Sequence, residues 1–200
     1  MFIYANGDSH TASWSYIDVI GKHFDAEYIN QAVNGSSNES IIRRTRNYLK
    51  HNTPDLIIIG WSTWEREEWQ YKDKYYCVNS SGYEDLPDAL QSRYKKWVAT
   101  QTQETLINKS KHWHSKIFEF HQEIQTIPHL FFNCMYDFFN VSTQYTWNKC
   151  FIGPYDNDQS YYHWLKAQGC KANPWYHYEE DGQRLWADKL ITYIKDNHIV

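Results

Sequence analysis

The chain has 200 residues, 42% of them hydrophobic, with 20 Lys and Arg set against 24 Asp and Glu. That length suffices for one sizeable core, so a single domain over residues 1–200 is expected, and the near balance of charge argues against a nucleic-acid-binding surface. No stretch reaches the roughly 18 uninterrupted apolar residues of a membrane span, and the first residues lack a leader pattern, so the expectation is a cytoplasmic protein with neither nucleic-acid nor membrane partners.

Cys77, Cys134, Cys150 and Cys170 form no CxxC pair and have no histidine at zinc-finger spacing, which predicts reduced thiols and neither a metal nor another cofactor. His112 and His114 are near neighbours, but residues two apart on a helix face different sides, and they predict no metal site either. Aromatic content is high, with 10 Trp and 17 Tyr. Such rings either fill a core poor in Leu and Val or stack on sugars and partner surfaces.

In chain order, residues 2–6 read as a strand and residues 11–23 as a helix, with Trp14, Ile17 and Ile20 at helical spacing. A second strand follows at residues 27–33. Asn34-Gly35 then makes a turn, and Ser36 with Glu39 forms a capping box that opens a helix through Leu49. "DLIIIG", residues 55–60, is a continuous β-branched run between Pro54 and Gly60, the pattern of a strand buried on both faces of a parallel sheet. Residues 61–87 show no clear period and read as a long functional loop. Residues 88–125 predict one long helix, or two joined near residues 108–111. Pro128 introduces a strand in "HLFFNCM", a short helix is expected at residues 160–167, and residues 179–197 form a closing helix.

Strands alternating with helices predict an α/β protein, a three-layer α/β/α sandwich with a mostly parallel, flavodoxin-like sheet. Ligands in such sheets bind beyond the carboxyl ends of the strands. Ser9, Gly35 and Ser62 each follow a predicted strand, so all three are expected on that edge. Acyl transfer requires a nucleophilic hydroxyl, a base within reach and donors aimed at the developing oxyanion. Ser9 on the first strand-to-helix turn, Gly35 as a backbone donor and His177 ahead of the last helix are the candidate parts. His10 is expected to be a helix-start residue.

At these residues the chain resembles the SGNH, or GDSL-type, hydrolases, a family of α/β/α esterases and acetylhydrolases. "NGDSH" matches the first block with Ser9 at the nucleophile position. Gly35 in "VNGSSNES" matches the second block, and His177, Gly182, Trp186 and Ala187 in "HYEEDGQRLWADKL" match the last. The resemblance implies hydrolysis of a carboxylic ester, with His177 as base and with the backbone N–H groups of Ser9 and Gly35 as oxyanion donors.

Two departures stand out. "GWSTWER" carries Ser62 where the family has an oxyanion-donating Asn, so Ser62 is expected as a third oxyanion donor, with a hydroxyl that has only one hydrogen to give. Three residues before His177, where the family has its triad acid, stands Pro174. His177 then finds a backbone carbonyl, reaches a distant acid such as Glu65, Asp137 or Glu179, or works in a Ser-His dyad. Trp61, Trp64 and Trp69 are expected to stack on a sugar ring and Arg66 to bind an anionic group; the aromatic loop favours a glycan or other small-molecule ester as substrate, such as an O-acetyl group on a carbohydrate. The alternative is a catalytically weak or inactive module of the same fold that binds glycan or protein. An unrelated flavodoxin-like binding domain would need the three blocks to coincide by chance.

Overall fold

A computed structural model of the chain describes residues 1–12, 16–80, 82 and 86–200. The first strand, β1 (Phe2–Asn6), leads into the short helix α1 (Ser9–Ala12), and α2 (Tyr16–His23) follows. Trp14, one of the three apolar positions that predict a helix there, lies outside the described residues. Next come β2 (Glu27–Asn30), α3 (Asn38–Leu49) and β3 (Leu56–Trp61), the last buried at all six positions as its apolar run requires.

Residues 61–87, expected as a loop, contain the antiparallel hairpin β4 (Glu67–Tyr71) and β5 (Lys74–Val78). Its apolar residues do alternate: Trp69 and Tyr71 face Tyr76 and Val78 in a small cluster shared with α4 (Asp88–Ala99). The turn hides it, because Lys72 takes a φ of 53° without the Asn or Gly that usually announces this conformation. The next helix, α5 (Gln103–Glu123), starts after Thr102, whose hydroxyl accepts from the Thr105 N–H. The break between the two helices therefore falls at residues 100–102 and not at residues 108–111.

Then follow β6 (His129–Asn133), the two-residue strand β7 (Phe151–Ile152), a 3-10 turn at Asn157–Gln159, α6 (Tyr161–Ala167) and α7 (Glu180–Asp196). The five-stranded sheet runs β2-β1-β3-β6-β7 with every pairing parallel. Side chains alternate across it. Ile3, Ala5, Ile58, Leu130 and Phe132 pack against α2, α6 and α7 on one face, whereas Tyr4, Ile57, Ile59 and Phe131 pack against α3 and α5 on the other. This is the expected three-layer α/β/α arrangement. The chain goes outward from β1 to β2 and then returns past β1 to β3, which makes the carboxyl end of the β1/β3 pair the switch point where a crevice opens. Among the described residues no helix is long and apolar enough to cross a membrane.

Candidate active site

The turn after β1 is built by close packing. The fully buried Asn6 donates through Nδ2 to Thr45 Oγ1 at 2.9 Å and to the Ile41 carbonyl at 3.1 Å, while its Oδ1 accepts from the Gly7 N–H at 2.8 Å. A methyl group at Gly7 would run into the Thr11 side chain and the Gly60 carbonyl, so the backbone can turn here only without a side chain. The next residue, Asp8, caps the helix. Its carbonyl accepts from the Thr11 and Ala12 N–H groups and its Oδ1 accepts from the His10 N–H at 3.0 Å. Capping by Asp8 leaves the Ser9 hydroxyl free of that duty.

Ser9 Oγ lies 2.7 Å from His177 Nε2, although the two residues are 168 apart in sequence. With a neutral ring protonated at Nδ1, the serine hydroxyl donates to Nε2. His177 is carried by a tight loop. Asn173 Oδ1 accepts from the backbone N–H groups of Trp175 and His177 at 2.9 and 3.1 Å, and the Asn173 N–H donates to the His177 carbonyl at 2.8 Å. Among the described residues no carboxylate is hydrogen-bonded to the His177 ring. Pro174 is exposed, Glu179 is the exposed residue ahead of α7, and burial, with Asp156 adding to it, raises the Asp137 pKa. Burial and the neighbouring His10 ring push the His177 pKa down, Asp8 pulls it up and Arg66 opposes that pull.

The charge nearest the serine is Asp8, which is fully buried. Burial alone would raise its pKa, yet its bonds to His10 and the guanidinium of Arg66, 3.0 Å away, hold the carboxyl well below the usual carboxylate range. His10 is thus more than a helix-start residue. Its Nδ1 bonds to Asp8 at 2.9 Å, and its ring stands edge-on to both His177 and Tyr161. Asp8, His10 and Cys134 offer ligand atoms within 4.8 Å of one another, but Asp8 is already paired with Arg66, whose charge opposes a cation.

Ser62 reaches the same centre with its hydrogen engaged. Its hydroxyl donates to Asp8 Oδ2 at 3.0 Å and accepts from Arg66 Nη1 at 2.9 Å, so in this arrangement it has no hydrogen to offer an oxyanion. The peptide of Ser62 is clamped by the buried Asn38 side chain, which accepts from its N–H at 2.8 Å and donates to its carbonyl at 3.2 Å. Gly35, at a φ of 75°, belongs to a turn tied to the same edge, because the Val33 N–H donates to the Gly7 carbonyl at 3.3 Å. The cap of α3 is Ser37, whose Oγ accepts from Ser40, and not Ser36, whose hydroxyl donates to Val33. Among the described residues the N–H groups of Ser9 and Gly35 donate to no protein acceptor.

The expected aromatic platform is corrected. Trp61 packs edge-on to Phe120 and Phe131, and Trp64 stacks on Phe138 with its Nε1–H on the Asp137 carbonyl, both rings buried in the core and neither with a face to offer a substrate. Trp69 is buried beneath the hairpin. Arg66 turns inward to Asp8, Ser62 and the Ser36 carbonyl instead of outward to a ligand. Trp175 and Tyr176, which directly precede His177 in sequence, are exposed at 77% and 56%. Sequence reasoning missed Asp8, Asn38 and Asn173. Asp8 was legible as an Asx cap in "GDSH", and Asn173 makes a similar local turn, but Asn38 acts on a peptide 24 residues away that only the fold brings near.

No family model matches the chain, and no curated protein is significantly similar to it in sequence. Two solved structures share its fold along its whole length. The psychrotrophic esterase EstA from Pseudoalteromonas sp. has a TM-score of 0.53 over 98% of this chain and 97% of its own, at 12% identity. The acetyl xylan esterase AlAXEase has a TM-score of 0.50 over 97% of this chain and 100% of its own, at 15% identity. At such identity the likeness concerns architecture alone, and with the all-parallel sheet it shows that this chain shares the three-layer α/β/α fold of these two esterases.

Proposed function

We propose that the protein hydrolyses a carboxylic ester through a Ser9-His177 dyad. The observation that carries this reading is the 2.7 Å contact between Ser9 Oγ and His177 Nε2, made at the switch-point edge of the sheet. Ser9 Oγ attacks the carbonyl carbon while its proton passes to His177 Nε2, and the oxyanion is met by the N–H groups of Ser9 and Gly35. His177 then returns that proton to the leaving alkoxide as the C–O bond breaks. Water attacks the acyl-serine with His177 again taking the proton, and the acid leaves as Ser9 regains its hydrogen. His177 is well suited to receive a proton near neutral pH because its lowered pKa keeps the ring neutral there.

An O-acetyl group on a carbohydrate is the substrate class we favour. The exposed rings of Trp175 and Tyr176 beside His177 suit a sugar face, and one structure of the same fold is an acetyl xylan esterase. The direct test is hydrolysis of an activated acetyl ester by the wild type and by Ser9→Ala. We expect the variant to be slower by roughly 10³ or more. Equal rates would falsify the enzyme reading and favour a binding module, for which the absence of a carboxylate on His177 among the described residues speaks. Faster release of acetate from acetylated xylan than of a long-chain acid from its ester supports the carbohydrate assignment, and the reverse order overturns it.

A further inference from the structure

A second cluster of ligand-bearing side chains stands away from Ser9. His121 in the last turn of α5, His129 at the start of β6 and Cys150 just ahead of β7 bring one ring nitrogen each and the thiol sulfur within 4.8 Å of one another. Both histidines are buried, and Cys150 is partly accessible. His129 Nδ1 is 2.7 Å from the Ile127 carbonyl, so Nδ1 carries the hydrogen and Nε2 presents a lone pair to His121 Nδ1, also 2.7 Å away. An imidazole whose far nitrogen donates to a backbone carbonyl has its tautomer and orientation set as in a metal ligand. The Cys150 thiol makes only a 3.6 Å contact with the Asn148 carbonyl. Trp147, Phe118 and Phe131 wall the cluster with apolar rings.

We propose that His121, His129 and Cys150 form a site for one zinc ion. Two imidazoles and a thiolate suit a borderline-soft ion, and the accessible side of Cys150 leaves the fourth position to water. Tetrahedral zinc at about 2.0–2.1 Å from each nitrogen sets the two nitrogens about 3.3 Å apart, so binding asks the rings to separate by about 0.6 Å. The His121 proton moves from Nδ1 to Nε2, and the Cys150 proton is released to solvent, one proton for each ion bound. His129 begins β6 and Asn133 ends it, which puts about 13 Å of strand between this cluster and the edge that carries Ser9. The ion would join the end of α5, the start of β6 and the loop before β7, with no part in the Ser9 chemistry.

The test uses the full-length protein stripped with chelator and titrated with Co²⁺ and then Zn²⁺. The expected result is a thiolate-to-cobalt charge-transfer band that saturates at one equivalent and is displaced by zinc. Cys150→Ser abolishes that band, and His129→Ala weakens cobalt binding by at least tenfold. In the wild type, zinc protects Cys150 from alkylation, mapped by mass spectrometry, without protecting Cys77 or Cys170. No band at one equivalent, a band that survives in Cys150→Ser, or Cys150 alkylated equally fast with and without zinc overturns the proposal. Ester hydrolysis by Cys150→Ser stays at the wild-type rate, so the metal site and the dyad stand or fall separately.

Discussion

Ser9 and His177 illustrate how little a residue's type says about its role until its partners are known. The "NGDSH" stretch reads equally as turn and as nucleophile, and the difference is made by Asp8, which takes the capping duty and leaves the Ser9 hydroxyl to His177. The lowered His177 pKa has a kinetic consequence. A base must be neutral to act, so the acid limb of kcat/KM for an activated ester falls below the ordinary histidine value of 6.5, and a limb at or above 6.5 in the pH profile rejects this assignment. Asp8→Asn removes a buried charge that faces Arg66 and is expected to cost about 3 kcal/mol in chemical denaturation. A loss of less than about 1 kcal/mol would mean that the pair contributes little beyond its own desolvation. Trp64 separates core from platform in the same way: with its ring fully buried on Phe138, Trp64→Ala loses about 3–5 kcal/mol of stability, whereas a substrate platform would instead raise KM and leave stability alone.

The elements that carry the site differ in how far local sequence defines them. β3 and α7 were legible because a β-branched run and a helical apolar stripe each declare their burial. The β4–β5 hairpin was not, since its turn uses a lysine at positive φ and its alternating rings are buried only when α4 covers them. β7 is two residues long and exists because β6 offers an edge to pair with. The loop that holds His177 is of the same kind. The Asn173 side chain closes it by accepting from the Trp175 and His177 N–H groups, so Asn173→Ala should leave unfolding nearly unchanged while lowering kcat/KM by about 10- to 100-fold, chiefly in kcat. An unchanged kcat would show that the loop holds His177 without this side chain.

For the whole molecule, buried neutral histidines link stability to pH. His129 protonates near 6.5 when unfolded but stays neutral to about 4 when folded, and His114, His121 and His177 are lowered in the same direction. The unfolded chain therefore binds more protons below pH 6.5, and stability falls as pH drops from 6.5 to about 4, by up to about 3 kcal/mol from His129 alone. Urea midpoints of the chelator-stripped protein at about pH 7 and about pH 5 test this, and equal midpoints reject it. The architecture itself was open to sequence reasoning: alternating strands and helices and one strand buried on both faces define an α/β/α sheet with Ser9 on its carboxyl edge. These signals survive without tertiary context because periodicity and turn chemistry are properties of the local chain. Only the tertiary structure decided that Trp61 and Trp64 belong to the core, that Arg66 and Ser62 turn inward to Asp8, and that no described carboxylate bonds to His177. Each of these depends on which buried partner satisfies a polar group or covers a ring, and those partners lie tens of residues away along the chain.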